Sequence, residues 1–563
     1  MKKLTTLITT IALLLIITPA YAQQAPVPNI GEALKEAAPP PKEAKEAPPP
    51  KEVPVIIQEE KPFSLPEGEK LFIKDFAIEG ALKEDEATLS TLLAPYKGRD
   101  LTMAEITEAA NKVTLYYRDK GYLVARAYVP KQDATSGILT IRIIMGTYGK
   151  FSLKNTSHVR DFLIQGVFDR AKKTSPVVTR DSLERAMLLV KDMPGTQLPT
   201  VAIAAGEAPG TSDFTVNADK SPRVNGYLMG DNQGSRFTGK NRVYGGIDIN
   251  SSFGIADKFS VSGMTSNGEG LQNLRIAYGF PLGYTGLRTE LAASRTIYEL
   301  GGIYSDLDAK GSADVVEGTF SYPLRKRSNE SIDISLNLAY KKLQDELKAV
   351  DSENPRNASV ATLSLQRAAY GSLFGKNLFT AMSLGVTLGD LDIRDDAQKA
   401  LNEAGANTGG TYSKANLAFS GNLALTEKLS VRGSLKLQKS LSGNLDPTEQ
   451  LFISGISGVK AYTESVSFDN GYVASMETRY ALPPLFGITH ALGAFIDNGY
   501  VYAENGNYTT EDKTMVSDVG LGYYVNFKKM FGSIQLAEPF GGTRNDNVKD
   551  PGTRVLAQVG VVF

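Results

Sequence analysis

"SIDISLNLAYK", residues 331 to 341, alternates without a break. Ile332, Ile334, Leu336, Leu338 and Tyr340 fall on one side of an extended chain, and Asp333, Ser335, Asn337 and Lys341 on the other, because successive strand side chains point to opposite faces. "LSVRGSLKLQ", residues 429 to 438, repeats the pattern, with Leu429, Val431, Leu435 and Leu437 opposed to Ser430, Arg432, Ser434, Lys436 and Gln438. A soluble β-sandwich also alternates. Here, however, the second face is polar and often charged along its whole length, and nothing is left to build a second buried layer. Such strands need hydrocarbon outside and water inside.

Sixteen segments of this kind run from 222–231 to 554–563. An even number closes an antiparallel barrel, and closure is obligatory because an open edge in hydrocarbon leaves amides unpaired. The expected fold is therefore an all-β transmembrane barrel of 16 antiparallel strands over residues 221–563. The connection "LTE" after 424 is tight, whereas the stretches 345–357 and 393–410 are expected to be long polar loops. The last segment, "RVLAQVGVVF", sets Val555, Ala557, Val559, Val561 and Phe563 against Arg554, Gln558 and Gly560, and its terminal aromatic suits an outer-membrane assembly signal. The chain has no tryptophan, so Tyr and Phe must form the interfacial girdles.

The N-terminal residues 1–22 read as a secretory signal. Lys2 and Lys3 precede an apolar run, and "AYA" (Ala20, Tyr21, Ala22) supplies the cleavage site. Residues 23–66 hold 11 of the 27 prolines and form a solvated, extended linker whose one helical island is "NIGEALKEAA", residues 29–38. Two compact α+β units follow, at 67–146 and 147–220, each in the order β-α-α-β-β. In the first, Thr102 and Glu105 have capping-box spacing, and Ile106, Ala110, Val113 and Tyr117 share a helix face. Each unit leaves a strand edge that could pair with a visiting chain. Leu123, Ala125, Ala127 and Val129, within 122–129, mark the expected client-binding edge.

Composition excludes several classes of function. There is no cysteine, hence no disulfide and no thiolate chemistry; a net charge of −1 argues against nucleic acid. No phosphate-binding GxxxxGK[ST] loop occurs, and His158 and His490 lie in different units with no second ligand for a metal. His490 is expected at the membrane interface. The chain reads as a non-enzyme without cofactors.

Between the eleventh and twelfth segments lies "GISGVKAYTESVSFDNGY", residues 455–472. It has a loop's glycines and serines, yet Phe452, Ile456, Val459 and Tyr462 are too apolar to be left in water. A sixteen-stranded barrel has a wide lumen, so the loop, about 450–464, is expected to fold inward. Lys460 then needs an acidic partner. Period two points Gly493, Phe495, Asp497 and Gly499 inward in "LGAFIDNGYVY", which makes Asp497 one candidate; Glu477 is the other.

Loop, aspartate strand, paired units and terminal Phe563 together resemble a two-partner secretion transporter of the TpsB type (ShlB/FhaC/HecB-like), in the Omp85 superfamily. "GYLVARAYVPKQ", 121–132, is similar to the family's first POTRA domain. The resemblance implies two POTRA domains before the barrel, a plug helix at 29–38, and an inward-loop tetrad, Val-Arg-Gly-Tyr or Val-Arg-Gly-Phe, preceded here by Gly458. This chain has Val459, Lys460, Ala461 and Tyr462 at those positions. Lysine loses the planar fork that grips a carboxylate, and alanine replaces a glycine that could need positive φ. The family's F-x-D-x-G motif is intact at Phe495, Asp497 and Gly499, and its arginine–aspartate contact maps onto Lys460 and Asp497. The implied function is capture of an unfolded TpsA-type exoprotein in the periplasm and its export through the barrel, driven by client folding outside. The implied partners are that client and outer-membrane lipid, with room for periplasmic chaperones and none for nucleic acid; the chain is expected to be a monomer. An outer-membrane insertase is the alternative, and a passive porin a more distant one.

Overall fold

The computed structural model describes residues 28–38, 55–57, 70–133, 135–455, 458–463, 466–509, 512–541 and 552–563. The expected signal segment and most of the linker lie outside them.

Residues from 224 to 562 form a closed barrel of sixteen strands. Its first half comprises β10 (Val224–Asp231), β11 (Arg242–Asn250), β12 (Lys258–Ser266), β13 (Leu271–Pro281), β14 (Arg288–Glu299), β15 (Ala309–Lys326), β16 (Glu330–Leu347) and β17 (Ser352–Leu373). The second half comprises β18 (Lys376–Ile393), β19 (Gly410–Ala424), β20 (Leu429–Ser440), β23 (Asn470–Ala481), β24 (Thr489–Tyr502), β25 (Lys513–Phe527), β26 (Met530–Pro539) and β27 (Arg554–Val562). Two short strands, β21 (Leu451–Phe452) and β22 (Ser467–Phe468), form a separate ribbon between β20 and β23. Every neighbour in the barrel is antiparallel, and β10 closes it on β27, from Tyr227 opposite Val562 to Asp231 opposite Gln558. Phe563 exchanges both backbone hydrogen bonds with Gly226, at 2.9 Å each.

The alternation does what periodicity requires. Leu336, Leu338 and Tyr340 are exposed on the outside, as are Leu274, Ile276, Leu291, Leu384, Leu521 and Leu536 on other strands. An apolar band of this extent has lipid as its solvent. Among the described residues no helix is long and apolar enough to cross a membrane.

Two expected loops differ. The stretch 345–357 is mostly strand, because β16 and β17 pair from Glu330 opposite Ala369 up to Leu347 opposite Ser352, with one short turn between them. Its polar residues continue the paired strands beyond the oily band. The stretch 393–410 carries the helix Asp396–Ala404, capped by Asp395, whose carboxylate accepts from the Gln398 N–H at 2.9 Å.

The first N-terminal unit is built on α2 (Glu86–Leu93), α3 (Met103–Asp119) and a three-stranded sheet in the order β3 (Asp75–Glu79), β6 (Ile138–Ile144), β5 (Arg126–Tyr128). β2 (Lys70–Ile73) pairs with an unexpected strand, β4 (Arg99–Thr102). The capping box forms as spaced: Thr102 Oγ1 accepts from the Glu105 N–H and Glu105 Oε2 accepts from the Thr102 N–H at 2.8 Å. Ile106, Ala110, Val113 and Tyr117 are buried with Leu89, Leu101 and Ile141.

The second unit packs α4 (Asp161–Thr174) and α5 (Arg180–Lys191) on β7 (Thr147–Asn155), β8 (Thr200–Ala205) and β9 (Thr211–Ala218). A strand from the linker, β1 (Val55–Ile57), extends this sheet to the order β1-β8-β9-β7. The unit is fixed to the barrel's short-turn end. Lys326 meets Asp192 at 2.5 Å, Arg327 pairs with Asp181, and Arg185 donates to the Pro323 carbonyl at 2.7 Å.

Candidate functional site: the inward loop and the lumen helix

From Ser440 the chain turns into the barrel and does not return to the wall until Asn470. Its first part, through Gln450, is tied to the wall by charge. Arg356 of β17 bridges Asp345 of β16 and Asp446 of the loop, and all three side chains are largely buried. Glu449 takes Lys341 at 2.6 Å and Lys414 at 2.8 Å. Asp469 accepts from the Leu445 N–H at 2.8 Å and the Glu504 N–H at 2.9 Å, and so ties the returning end of the excursion to its outgoing part and to the residues just after β24.

The second part carries the tetrad. Ile453 and Val459 are fully buried against Val473, Val501 and Val516, with Tyr462 packed beside them. Gly499 of β24 makes this possible: a β-carbon there would meet the Ile453 Cβ at 2.8 Å. Gly458 is needed for the same reason, since a side chain would strike the Ile453 carbonyl. Ile456 lies outside the described residues.

Lys460 reaches Asp497 with Nζ–Oδ2 2.6 Å, their side chains 12% and 0% exposed. Its Nζ also lies 4.2 Å from the Phe495 ring centroid, over the negative face of the ring. The ammonium thereby recovers, through one carboxylate and one aromatic face, part of what a planar arginine fork would supply. Glu477, the competing acid, instead pairs with Arg479 at 2.9 Å and accepts from the Tyr524 hydroxyl.

Ala461 is not among the residues with positive φ, so alanine is unstrained where a glycine was expected. It is buried with Phe495, Ala537 and Leu556. Its N–H donates at 2.6 Å to Oδ2 of Asp518, which stands directly opposite Asp497 on β25. Arg554 of the last strand donates to the Lys460 carbonyl at 3.1 Å. Asp518, Asp446 and Glu449 are the functional-site acids that sequence reasoning missed. Period two alone would have pointed Asp518 inward, but only strand register sets it beside Asp497.

The island at 29–38 contains α1 (Ile30–Ala37), lodged inside the barrel. Asn29 caps it, accepting from the Gly31 N–H at 2.9 Å. Ile30, Ala33 and Ala37 are buried among Tyr244, Leu271, Tyr298 and Leu343. Asp345 accepts from the Ile30 N–H at 2.8 Å, where a carboxylate opposes the positive end of the helix. Near the other end, Thr238 donates to Glu36 at 2.7 Å and Arg242 to the Glu36 carbonyl at 3.2 Å. On its far side Gly31 lies against Pro447, so the helix is wedged between the wall and the inward loop.

The expected docking edge at 122–129 is different. Strand pairing shrinks to Arg126–Tyr128. Leu123, Ala125 and Ala127 are buried and Val129 is half-buried. The outer polar groups of that edge are already used: Ala127 N–H donates to Thr114 Oγ1 at 2.9 Å, and Arg118 Nε donates to the Ala125 carbonyl at 3.2 Å. Helix α3 thus closes the edge that the alternation suggested was open. His490 hydrogen-bonds Tyr523 and the Pro483 carbonyl, each at 2.9 Å, and no metal-ligating cluster occurs among the described residues.

A sixteen-stranded outer-membrane barrel with an inward lysine–aspartate loop, preceded by compact α+β units, defines an Omp85-type transporter. The model for the haemolysin secretion/activation proteins ShlB/FhaC/HecB matches residues 210–524, and that for the ShlB-type POTRA domain matches 71–146. The chain belongs to the ShlB/FhaC/HecB family, the TpsB transporters of two-partner secretion. It is 23% identical over 432 residues to the heme/hemopexin transporter protein HuxB of Haemophilus influenzae, covering 77% of this chain and 75% of that one. It is 24% identical over 441 residues to the outer membrane transporter CdiB of Dickeya dadantii, covering 76% and 75%. Among solved structures, CdiB from Escherichia coli has the same fold, with a TM-score of 0.70 at 19% identity over 95% of each chain.

Proposed function

We propose that this chain takes an unfolded, TpsA-type exoprotein from the periplasm and passes it through its barrel to the cell surface. The observation that carries this reading is a lumen filled by two separable elements, α1 and the inward loop. Ion pairs and hydrogen bonds tie both to the wall, beside the apolar faces they bury against it. Polar contacts of this kind can be exchanged for water when the elements move, whereas opening the wall would break a whole ladder of backbone hydrogen bonds between two strands. The POTRA units sit at the short-turn, periplasmic end, where a client would arrive.

HuxB is named as a heme/hemopexin transporter protein, and CdiB only as an outer membrane transporter. The client here is proposed only as an extended polypeptide that folds after exit. Deleting the chain from its host and comparing periplasm with cell surface tests the reading: one large exported protein should be retained inside. Unchanged export of every surface protein would reject it.

A further inference from the structure

The second POTRA unit ends its sheet in an unusual way. β1 pairs in parallel with β8, with Val55 opposite Val201, Ile56 opposite Ala202 and Ile57 opposite Ile203. Without β1, β8 would be the edge of that sheet. β8 is itself firmly held, because Val201 and Ile203 are buried in the unit's core and all six of its residues pair with β9. β1 covers three of these six positions and leaves Ala204 and Ala205 exposed beyond its end.

The contrast with the first unit is physical. There, β5 is sealed by Thr114 and Arg118, side chains of a helix that belongs to the same core. Here the cover is a three-residue strand from a proline-rich tract, with Pro54 before it and Pro62 after it. Proline has no N–H to give a ladder, which limits how far the pairing can spread. Each backbone hydrogen bond contributes only a small net stabilisation, because it replaces one to water. A strand that fills all six positions of β8 therefore outcompetes one that fills three. The occupant is a short extended run, Val-Ile-Ile in sequence, of high β propensity.

We propose that the β8 edge of the second POTRA unit is the docking edge for an extended segment of the unfolded client, and that residues 55–57 are a resident placeholder which the client displaces. The inference rests on the secretion reading, and it moves the docking edge from 122–129 to 200–205.

Hydrogen–deuterium exchange on the full chain in detergent, with no client present, tests it. Ile56→Pro should speed exchange over residues 200–205 several-fold, and a synthetic peptide of residues 53–59 should restore protection. The labelled peptide should bind Ile56→Pro about tenfold more tightly than the wild type, which corresponds to the loss of one or two competing ladder bonds. Deletion of residues 53–59 should reproduce both effects, with exchange in α4 and α5 unchanged as the check on folding. Unchanged exchange over 200–205 in both variants, or equal peptide affinity, overturns the placeholder. Because no client enters this experiment, such a result leaves the secretion reading to its own deletion test.

Discussion

Lys460 stands between a carboxylate at 2.6 Å and an aromatic face at 4.2 Å, with almost no water around either. Removing one member of such a buried pair leaves an uncompensated charge and costs about 3–5 kcal/mol. Lys460→Asp and Asp497→Lys should each abolish secretion, and the double exchange should partly restore it; absence of rescue, read as surface-exposed client, would remove the pair from the mechanism. Asp497 was legible because period two and the F-x-D-x-G motif both aimed it inward. Asp518 was not, because one sequence carries no register between strands. A different residue governs acid stability outside the membrane. Burial pushes the Asp85 carboxyl up, but hydrogen bonds from Lys120 and Tyr116 more than offset this and hold it below the usual carboxylate range. A depressed folded value contributes stability above the ordinary aspartate value of about 3.9 and loses it as pH falls through the folded one. Asp85→Asn should therefore weaken exchange protection of α3 at pH 7 by about 1 kcal/mol, and the difference from wild type should shrink toward pH 3.

Helix α1 and the first half of the inward loop lean on each other as well as on the wall. A β-carbon on Gly31 would lie 2.5 Å from the Pro447 backbone, so Gly31→Val cannot be accommodated without displacing one of them. Planar-bilayer recordings of this variant should show a raised open-channel conductance frequency, several-fold over wild type; unchanged recordings would mean that the helix does not occlude the pore. Glu449→Gln leaves Lys341 and Lys414 sharing one neutral amide, and protease cleavage between 441 and 450 should accelerate. The helices of the POTRA units were readable because caps and amphipathic faces are local signals. β1 was not, since three residues in a proline-rich tract acquire strand character only from the partner they meet. The edge at 122–129 was misleading for a related reason: alternation shows which side chains are buried and says nothing about which helix has taken the main-chain groups.

At the scale of the molecule, the barrel is taller than the bilayer on one side. β15 to β18 have 18 to 22 residues each, whereas about 9–11 tilted residues cross the hydrocarbon. The surplus projects above the membrane as paired strands, which explains why the polar stretch 345–357 reads as loop by composition and folds as sheet. Strand number and closure were legible because each follows from periodicity repeated many times; the inward excursion of 441–450 was not, because its ion pairs join segments about a hundred residues apart in sequence. The most direct test of the account is quantitative comparison of outer-membrane and surface proteins with and without this chain. It predicts that one large exported protein disappears from the surface and accumulates in the periplasm while the other barrels keep their levels. A general fall in outer-membrane barrels, or a surface left unchanged, would contradict it.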